Sequence, residues 1–398
     1  MNRVAVALLC LLAGVAAEAA DSPLVELGLD HFYNLEFDLA VSSFEKAIAS
    51  EPKSPDNYNH LAQSILFREM LKAGALESEL VSGGNAFLRR EKMNPSPEDQ
   101  RRFDECIAKA MQLAQADLST HPDSIHSLYA LGISYGLRAN YNFLVRRAWM
   151  DALRDATQSS KYHKRITELD PGFADARLVQ GTHEYILGNL PWHYKFMGFL
   201  IGFRGDREHG IRTLEEVAAK GKRTRDDAAI LLAVIYRRER RFTRAIALLE
   251  RLIPRYPRNY LLRLELAQMY SDNGDGAAAL AAIAEVEKLK RAATPGFATL
   301  PVEKVLYYRA TVQFWYRDYA AAIANFERVT ARAGELDPNT GVTAWMRLGQ
   351  AHDLRGERAK ALACYRRAIE FAPESGVAKE CQGYLKRPFR RTDEPPQG

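Results

Sequence analysis

Apolar side chains recur along this chain at steps of three and four residues, and the pattern itself recurs at a longer interval. Between Asp226 and Asn259, Leu232, Ala233 and Tyr236 share one stripe, Ala245, Leu249 and Leu252 share a second, and Pro257 closes the stretch. Such spacing marks amphipathic helices, so the stretch predicts two helices joined by a short charged loop. The next stretch repeats it without a gap. Leu232 is answered by Leu266, Tyr236 by Tyr270 and Ala245 by Ala279, each 34 residues on. The template is present near the start as Leu27, Gly28, Ala40, Phe44, Ala47 and Pro52, with Glu36-Phe37-Asp38 as the turn. Near the end it returns as Trp345, Leu348, Gly349, Ala361, Tyr365, Ala368 and Pro373. Small residues at two fixed places let antiparallel helices approach, and larger ones fill the groove beside them. Proline stops the second helix and sets the next turn.

Other copies are stretched. One opens with Tyr58, Leu61, Ala62 and Ile65, and its second helix is delayed by an insertion. Ser82-Gly83-Gly84-Asn85 and Asn94-Pro95-Ser96-Pro97-Glu98-Asp99 supply turn chemistry there. The second of these opens a helix through Phe103, Ala110 and Ala114. Leu128, Leu131, Gly132 and Tyr135 begin a third copy, Ala174, Val179, Gly181 and Tyr185 a fourth, and Ala310, Ala322, Phe326 and Val329 a seventh. A period of 34 with small residues at positions 8 and 20 and proline near 32 resembles the tetratricopeptide-repeat family. Leu24, where that family has tryptophan, and His31, where tyrosine is common, depart from the pattern. The resemblance implies an all-α fold, a right-handed α-solenoid of tetratricopeptide-like helix pairs. It also implies that positions 2, 5, 9 and 12 of each first helix face a concave surface. In the C-terminal copies this selects Ile230, Val234, Arg237, Leu264, Gln268, Tyr307, Phe314, Met346 and Gln350. Such a mixture suits an extended peptide or a partner helix, and the alternative is that these side chains pack on neighbouring helices.

The period breaks from Leu187 to His209. Trp192, Phe196, Phe199 and Phe203 recur there on one face after Pro191, and Gly205-Asp206 ends the run before a new amphipathic helix at Ile211 to Ala219. This segment resembles one in some bacterial tetratricopeptide proteins, and more loosely one in the eukaryotic tetratricopeptide repeat protein 39 and inclusion-body-clearance family. Two readings stay open: the aromatic face lies at a lipid interface, or it caps the core. The resulting organisation is a leader at 1–19, N-terminal repeats with long insertions at 20–186, the irregular insert and its helix at 187–225, regular repeats with a capping helix at 226–385, and a disordered tail at 386–398.

Composition alters this picture little. The chain has 398 residues, 47% of them hydrophobic, and its 25 glycines and 17 prolines are too few for a low-complexity chain. The net charge of +5 includes the basic run Arg237-Arg238-Glu239-Arg240-Arg241, expected to be a solvated interhelix loop and not a nucleic-acid site. Met1-Asn2-Arg3, the apolar run Val4 to Ala17 and Ala17-Glu18-Ala19 read as a cleaved signal peptide, and hence a periplasmic or secreted protein. Cys10 follows Leu9, not the small residue that precedes a lipidated cysteine. Cys106, Cys364 and Cys381 read as buried apolar residues, with a Cys364–Cys381 bridge as the alternative. His183-Glu184 is followed by Leu187, not by the second histidine of a zinc helix, and the chain carries neither GxSxG nor a phosphate-binding loop. The expectation is a non-enzymatic scaffold in a bacterial envelope, without cofactor or metal. A membrane-surface adaptor using residues 191–204 and a structural subunit of an envelope assembly are the alternatives.

Overall fold

The computed structural model describes residues 22–77, 93–189 and 206–391. Among them are seventeen α-helices and no strand. The described residues fall into two compact units, 22–69 with 93–189 and 206–235, and 70–77 with 236–391. Unit one holds α1 (Pro23–Tyr33), α2 (Phe37–Ser50), most of α3 (Pro55–Lys72), α4 (Pro97–Leu118), α5 (Ile125–Tyr141), α6 (Trp149–Leu169), α7 (Arg177–Gly188), α8 (Arg207–Lys220) and most of α9 (Arg225–Arg238). Unit two holds the end of α3 and of α9, α10 (Phe242–Arg255), α11 (Tyr260–Asp272), α12 (Gly276–Arg291), α13 (Val302–Trp315), α14 (Tyr319–Ala331), α15 (Pro338–Leu354), α16 (Arg358–Phe371) and α17 (Gly376–Lys386). Antiparallel partners adjacent in sequence pack against each other, α1 on α2, α5 on α6 and α7 on α8 in unit one, and α11 on α12, α13 on α14 and α15 on α16 in unit two.

The pairs are held by rings lying on backbone. A Cβ added at Gly28 would stand 2.5 Å from Phe44 Cε1, and one at Gly349 would stand 2.6 Å from Tyr365 Cε1. Phe44 and Tyr365 are buried, as are Ala40 and Ala361 opposite the glycines. In the stretched third pair His163 takes the place of the aromatic ring against Gly132. Burial lowers the pKa of this imidazole to about 4, so it packs as a neutral ring, with its Nδ1 at 2.8 Å from the Ser159 carbonyl.

Every regular pair turns the same way. Leu35, Arg240, Gly274, Arg317 and Gly356, all at position 15, have φ between 58° and 88°. In each, the next residue's N–H donates to a carbonyl five residues back, from Glu36 to His31 (2.9 Å) through Glu357 to His352 (2.9 Å). This is a left-handed helix stop, which satisfies carbonyls that the helix end leaves open. The basic run 237–241 is therefore the end of α9 and its turn. His31, odd beside the repeat pattern, pairs through Nδ1 with Glu36 at 2.6 Å, and His352 pairs with Glu357 at 2.9 Å.

Departures from the regular repeat have local causes. Ser96 Oγ accepts the Asp99 N–H (3.1 Å) and opens α4, while Asp206 accepts the His209 N–H (3.0 Å) and opens α8. A π-helical turn at Asn142–Arg146 lengthens the third pair. It is clamped by buried Asp155, which accepts from Arg138 at 2.8 and 2.7 Å and from Asn142 at 3.0 Å. Cys106, Cys364 and Cys381 are free and buried, and burial pushes the Cys381 thiol up to about 12. The expected tail disorder does not extend to residues 387–391. The Phe389 N–H donates to Asp353 (2.8 Å), its ring packs beside Tyr384 and Phe314, and Arg391 donates to the Trp315 carbonyl (2.6 Å). An aromatic side chain two residues after Arg387 supplies the anchor that charge-rich composition concealed.

Exposed Arg317 sits at φ 68° with a Cβ that this conformation disfavours. Arg317→Gly should stabilise the protein by about 0.5–1 kcal/mol, and Gly356→Ala, where a Cβ meets nothing within 4 Å, should cost about 1 kcal/mol. Urea unfolding of both variants measures this. Equal stabilities would mean the turns carry no conformational strain.

Candidate functional site on the first-helix face

Most of the side chains selected from the repeat pattern are buried. Leu264 and Phe314 are 0% exposed, and Tyr307, Gln350, Gln268, Met346 and Arg237 are also enclosed. Ile230 and Val234 are half-buried. Leu264, Tyr307 and Phe314 belong to one apolar core, and Met346 to another with Tyr365 and Cys381. Arg237 donates to Asp272 at 2.8 Å, with Glu265 at 3.7 Å. These seven side chains support the stack, and they are not open to a ligand. Trp192, Phe196, Phe199 and Phe203 lie outside the described residues.

The cover over unit two is the chain itself. At one end of its first helices, Lys304 at position 2 of α13 donates to Glu77 (2.5 Å), Asp337 (2.7 Å) and Thr340 (2.5 Å). All three ammonium donors are thus used. Tyr308 donates to the other Glu77 oxygen at 2.7 Å. Asp337 also caps α15, accepting the Thr340 N–H at 2.9 Å. Gly74, at φ 65°, lets the turn after α3 press against Asp337, because a Cβ there would stand 2.2 Å from Oδ1. At the other end Phe389 and Arg391 lie over position 12, on Asp353, Phe314 and the Trp315 carbonyl. The sequence pattern did not mark Lys304, although it stands at one of the four inward positions. Glu77 had no signal, since the insertion that carries it breaks the period.

One ammonium faces two carboxylates here, so the charges do not balance. Asp337 lies below the ordinary carboxylate range: burial opposes its ionisation, and Lys304 and Thr340 outweigh burial. Glu77 goes the other way. Burial raises its pKa to about 7, with Lys304 opposing and Asp337 reinforcing. Burial also works against the Lys304 charge, yet the two carboxylates raise its pKa. A carboxyl titrating near neutrality beside a lysine has the elements of acid–base chemistry. Its full enclosure and the complete use of the lysine donors make it a latch between residues 70–77 and α13 and α15. Among the described residues no group of three His, Cys, Asp or Glu side chains could hold a metal ion.

Sequence profiles of the tetratricopeptide repeat match residues 204–296 and 342–375. No curated protein matches the chain. Among solved structures, it is similar to a human IFIT1 dimer with m7Gppp-AAAA, at 15% identity over 94% of this chain and 82% of that one, with a TM-score of 0.47. Yeast Tom70 gives 14% identity over 91% and 87%, with a TM-score of 0.40. TTC0263, a thermophilic tetratricopeptide protein of Thermus thermophilus, gives 16% identity over 63% and 98%, with a TM-score of 0.34. At this identity and overlap the likenesses carry no inference about what the chain binds. The matched stretches carry tetratricopeptide repeats, and the described residues outside them form further helix pairs.

The latch has a pH signature. Folded Glu77 keeps its proton up to about 7, against 4.5 as its ordinary value, so the folded state binds more protons within that window. Its contribution to stability is full below the window and falls as pH rises through it. Asp337 acts oppositely, losing its contribution only in acid. Urea unfolding at pH 5 and pH 7.5 should therefore show a decline that Glu77→Gln largely removes. Lys304→Met should cost about 3–5 kcal/mol, as when a buried pair loses one partner. An unchanged slope in Glu77→Gln would exclude Glu77 as the titrating group.

Proposed function

We propose that this tetratricopeptide-repeat protein is a non-enzymatic scaffold of a bacterial cell envelope, periplasmic or secreted, that holds a polypeptide partner by equilibrium binding. Tetratricopeptide repeats suggest an interaction scaffold, which supports this reading. The carrying observation is the half-burial of Ile230 and Val234, the two selected first-helix positions left partly open while the other seven are enclosed. Two aliphatic side chains one helical turn apart form an anchor for an apolar residue of a bound peptide or helix. The leader-like start of the sequence supports the location.

A second reading, a membrane-surface adaptor, has its own support. Trp149 (46% exposed), Met150 (73%) and Leu153 (57%) are clustered on the first turns of α6. An exposed apolar cluster of this kind marks a contact with lipid or protein. Among the described residues no helix is long and apolar enough to cross a membrane.

Affinity capture with crosslinking from envelope extract separates the two. The double variant Ile230→Gln, Val234→Gln should lose the captured partner while circular dichroism stays unchanged. The variant Met150→Asp, Leu153→Asp should keep it and should not alter flotation with liposomes of phosphatidylethanolamine and phosphatidylglycerol. Loss of flotation in the second variant would favour the membrane reading. Capture unaffected by the first variant would sink the scaffold reading as drawn.

A further inference from the structure

Unit two sets two guanidinium groups on one indole. Arg347 on α15 lies 4.9 Å from the centre of the Trp315 ring, and Arg391, beyond α17, lies 5.4 Å from the same ring. Neighbouring rings hold both in place. Phe314 packs edge-on against Trp315 at 5.4 Å, and the Arg347 guanidinium lies 5.5 Å from the Phe314 ring as well. Phe389, two residues before Arg391, sits 6.3 Å from Phe314, and its N–H donates to Asp353 at 2.8 Å. An indole ring attracts one cation favourably. A second cation on the same ring brings like charges together, a cost that a nearby carboxylate would ordinarily remove.

No described carboxylate does so. Asp353, the acid that anchors the tail, is already engaged: Arg358 Nη1 reaches both of its oxygens at 2.9 Å, and Tyr365 donates to one at 2.8 Å. Arg347 Nη1 donates to the Gln350 amide oxygen at 2.9 Å, and the edge formed by its Nε and Nη2 has no acceptor among the described residues. Arg391 Nη2 donates to the Trp315 carbonyl at 2.6 Å, and its Nε and Nη1 are enclosed without an acceptor. Enclosed donors left unused are costly in a framework. The free edge of Arg347 is the fork that matches two oxygens of a carboxylate or phosphate.

The number of oxygens needed decides the ligand class. The Arg347 fork takes two, Arg391 takes at least one more, and the pair carries two positive charges. A carboxylate offers two oxygens and a single charge, whereas a phosphate monoester offers three oxygens and about 1.5–2 charges at neutral pH. We propose that Arg347 and Arg391, held on Trp315, bind a phosphate group. Arg347, Trp315 and Arg391 each keep part of their surface in solvent, which gives the anion a way in. Two sources carry the group, inorganic phosphate in solution and the terminal phosphate of a phosphatidic acid headgroup. This site is separate from the polypeptide anchor at Ile230 and Val234 and does not depend on it.

Isothermal titration calorimetry of the full chain with sodium phosphate at fixed ionic strength is one arm of the test. Co-sedimentation with phosphatidylcholine vesicles that contain phosphatidic acid is the other. Sodium acetate and vesicles of phosphatidylcholine with phosphatidylglycerol are the monoanionic controls. Saturable binding in either arm, beyond its control, is expected, and the arm that responds identifies the source. Arg347→Gln and Arg391→Gln should each weaken that binding by roughly tenfold or more. Arg387 and Arg390 are exposed on the same basic stretch, so the double variant Arg387→Gln, Arg390→Gln controls for diffuse charge. At about 0.15 M salt it should change the affinity by no more than about twofold. Should Arg347→Gln disturb the circular dichroism spectrum, Arg391→Gln decides, because its side chain lies beyond the last helix. The proposal is overturned if neither arm binds, if the controls bind as well, or if Arg391→Gln binds like wild type. It is also overturned if the Arg387, Arg390 double variant weakens binding as much as Arg391→Gln, since the attraction would then be diffuse.

Discussion

Everything in this fold depends on how closely the two helices of a pair can approach. Gly28 under Phe44 and Gly349 under Tyr365 set that distance at ring-on-backbone contact, with no room for a single added carbon. Close approach leaves only a very short connection, and a connection that short must reverse within one residue of left-handed backbone. Arg240 and Arg317 accept that conformation although neither is glycine. Their strain follows from the packing, which is the stronger term. Burying an aromatic ring contributes about 1.5–3 kcal/mol, whereas a left-handed side-chain-bearing residue costs about 1–2 kcal/mol.

A stack built this way has a free side, and the two units use it differently. In unit two the chain covers its own first helices, with Glu77 locked onto Lys304 at one end and Phe389 and Arg391 laid down at the other. Cover of this kind explains why side chains at inward positions are core here. It also carries a charge mismatch, which Glu77 absorbs by holding its proton toward neutral pH. In unit one position 2 is Asp56, His126, Asp175 and Asp227 in turn, and Asp175 ties down the loop before α9 through Thr224.

The helix pairs were legible because the residues that make them are the residues that repeat. Leu232, Tyr236, Ala245 and their counterparts 34 residues on state the packing directly, and Ser96 and Asp206 announce the helices they cap. Exposure was not legible. A position rule says which way Tyr307 or Phe314 points, but whether that direction ends in water depends on segments remote in sequence. Glu77 lies 227 residues from Lys304, and the insertion it belongs to has no period. The π-turn at Asn142–Arg146 was hidden for a similar reason. Its stability comes from Asp155 reaching back from the following helix, a tertiary bond that no local propensity encodes. Asp175, which ties down the loop before α9, was within reach of the same position rule, read at position 2.

Regularity and enclosure go together along most of this chain, Ile230 and Val234 on α9 being the partly open exceptions among the selected positions. Where the repeat is cleanest, at α9 to α12 and α15 to α16, nearly every side chain that defines it is enclosed and engaged in holding helices together. A framework gains from having each buried polar group partnered, as Lys304 shows by using all three of its donors. A binding face gains from the reverse, because groups already satisfied have nothing to offer a ligand. Lys304, saturated by its own chain, is the clearest case of a first-helix side chain given over to the framework.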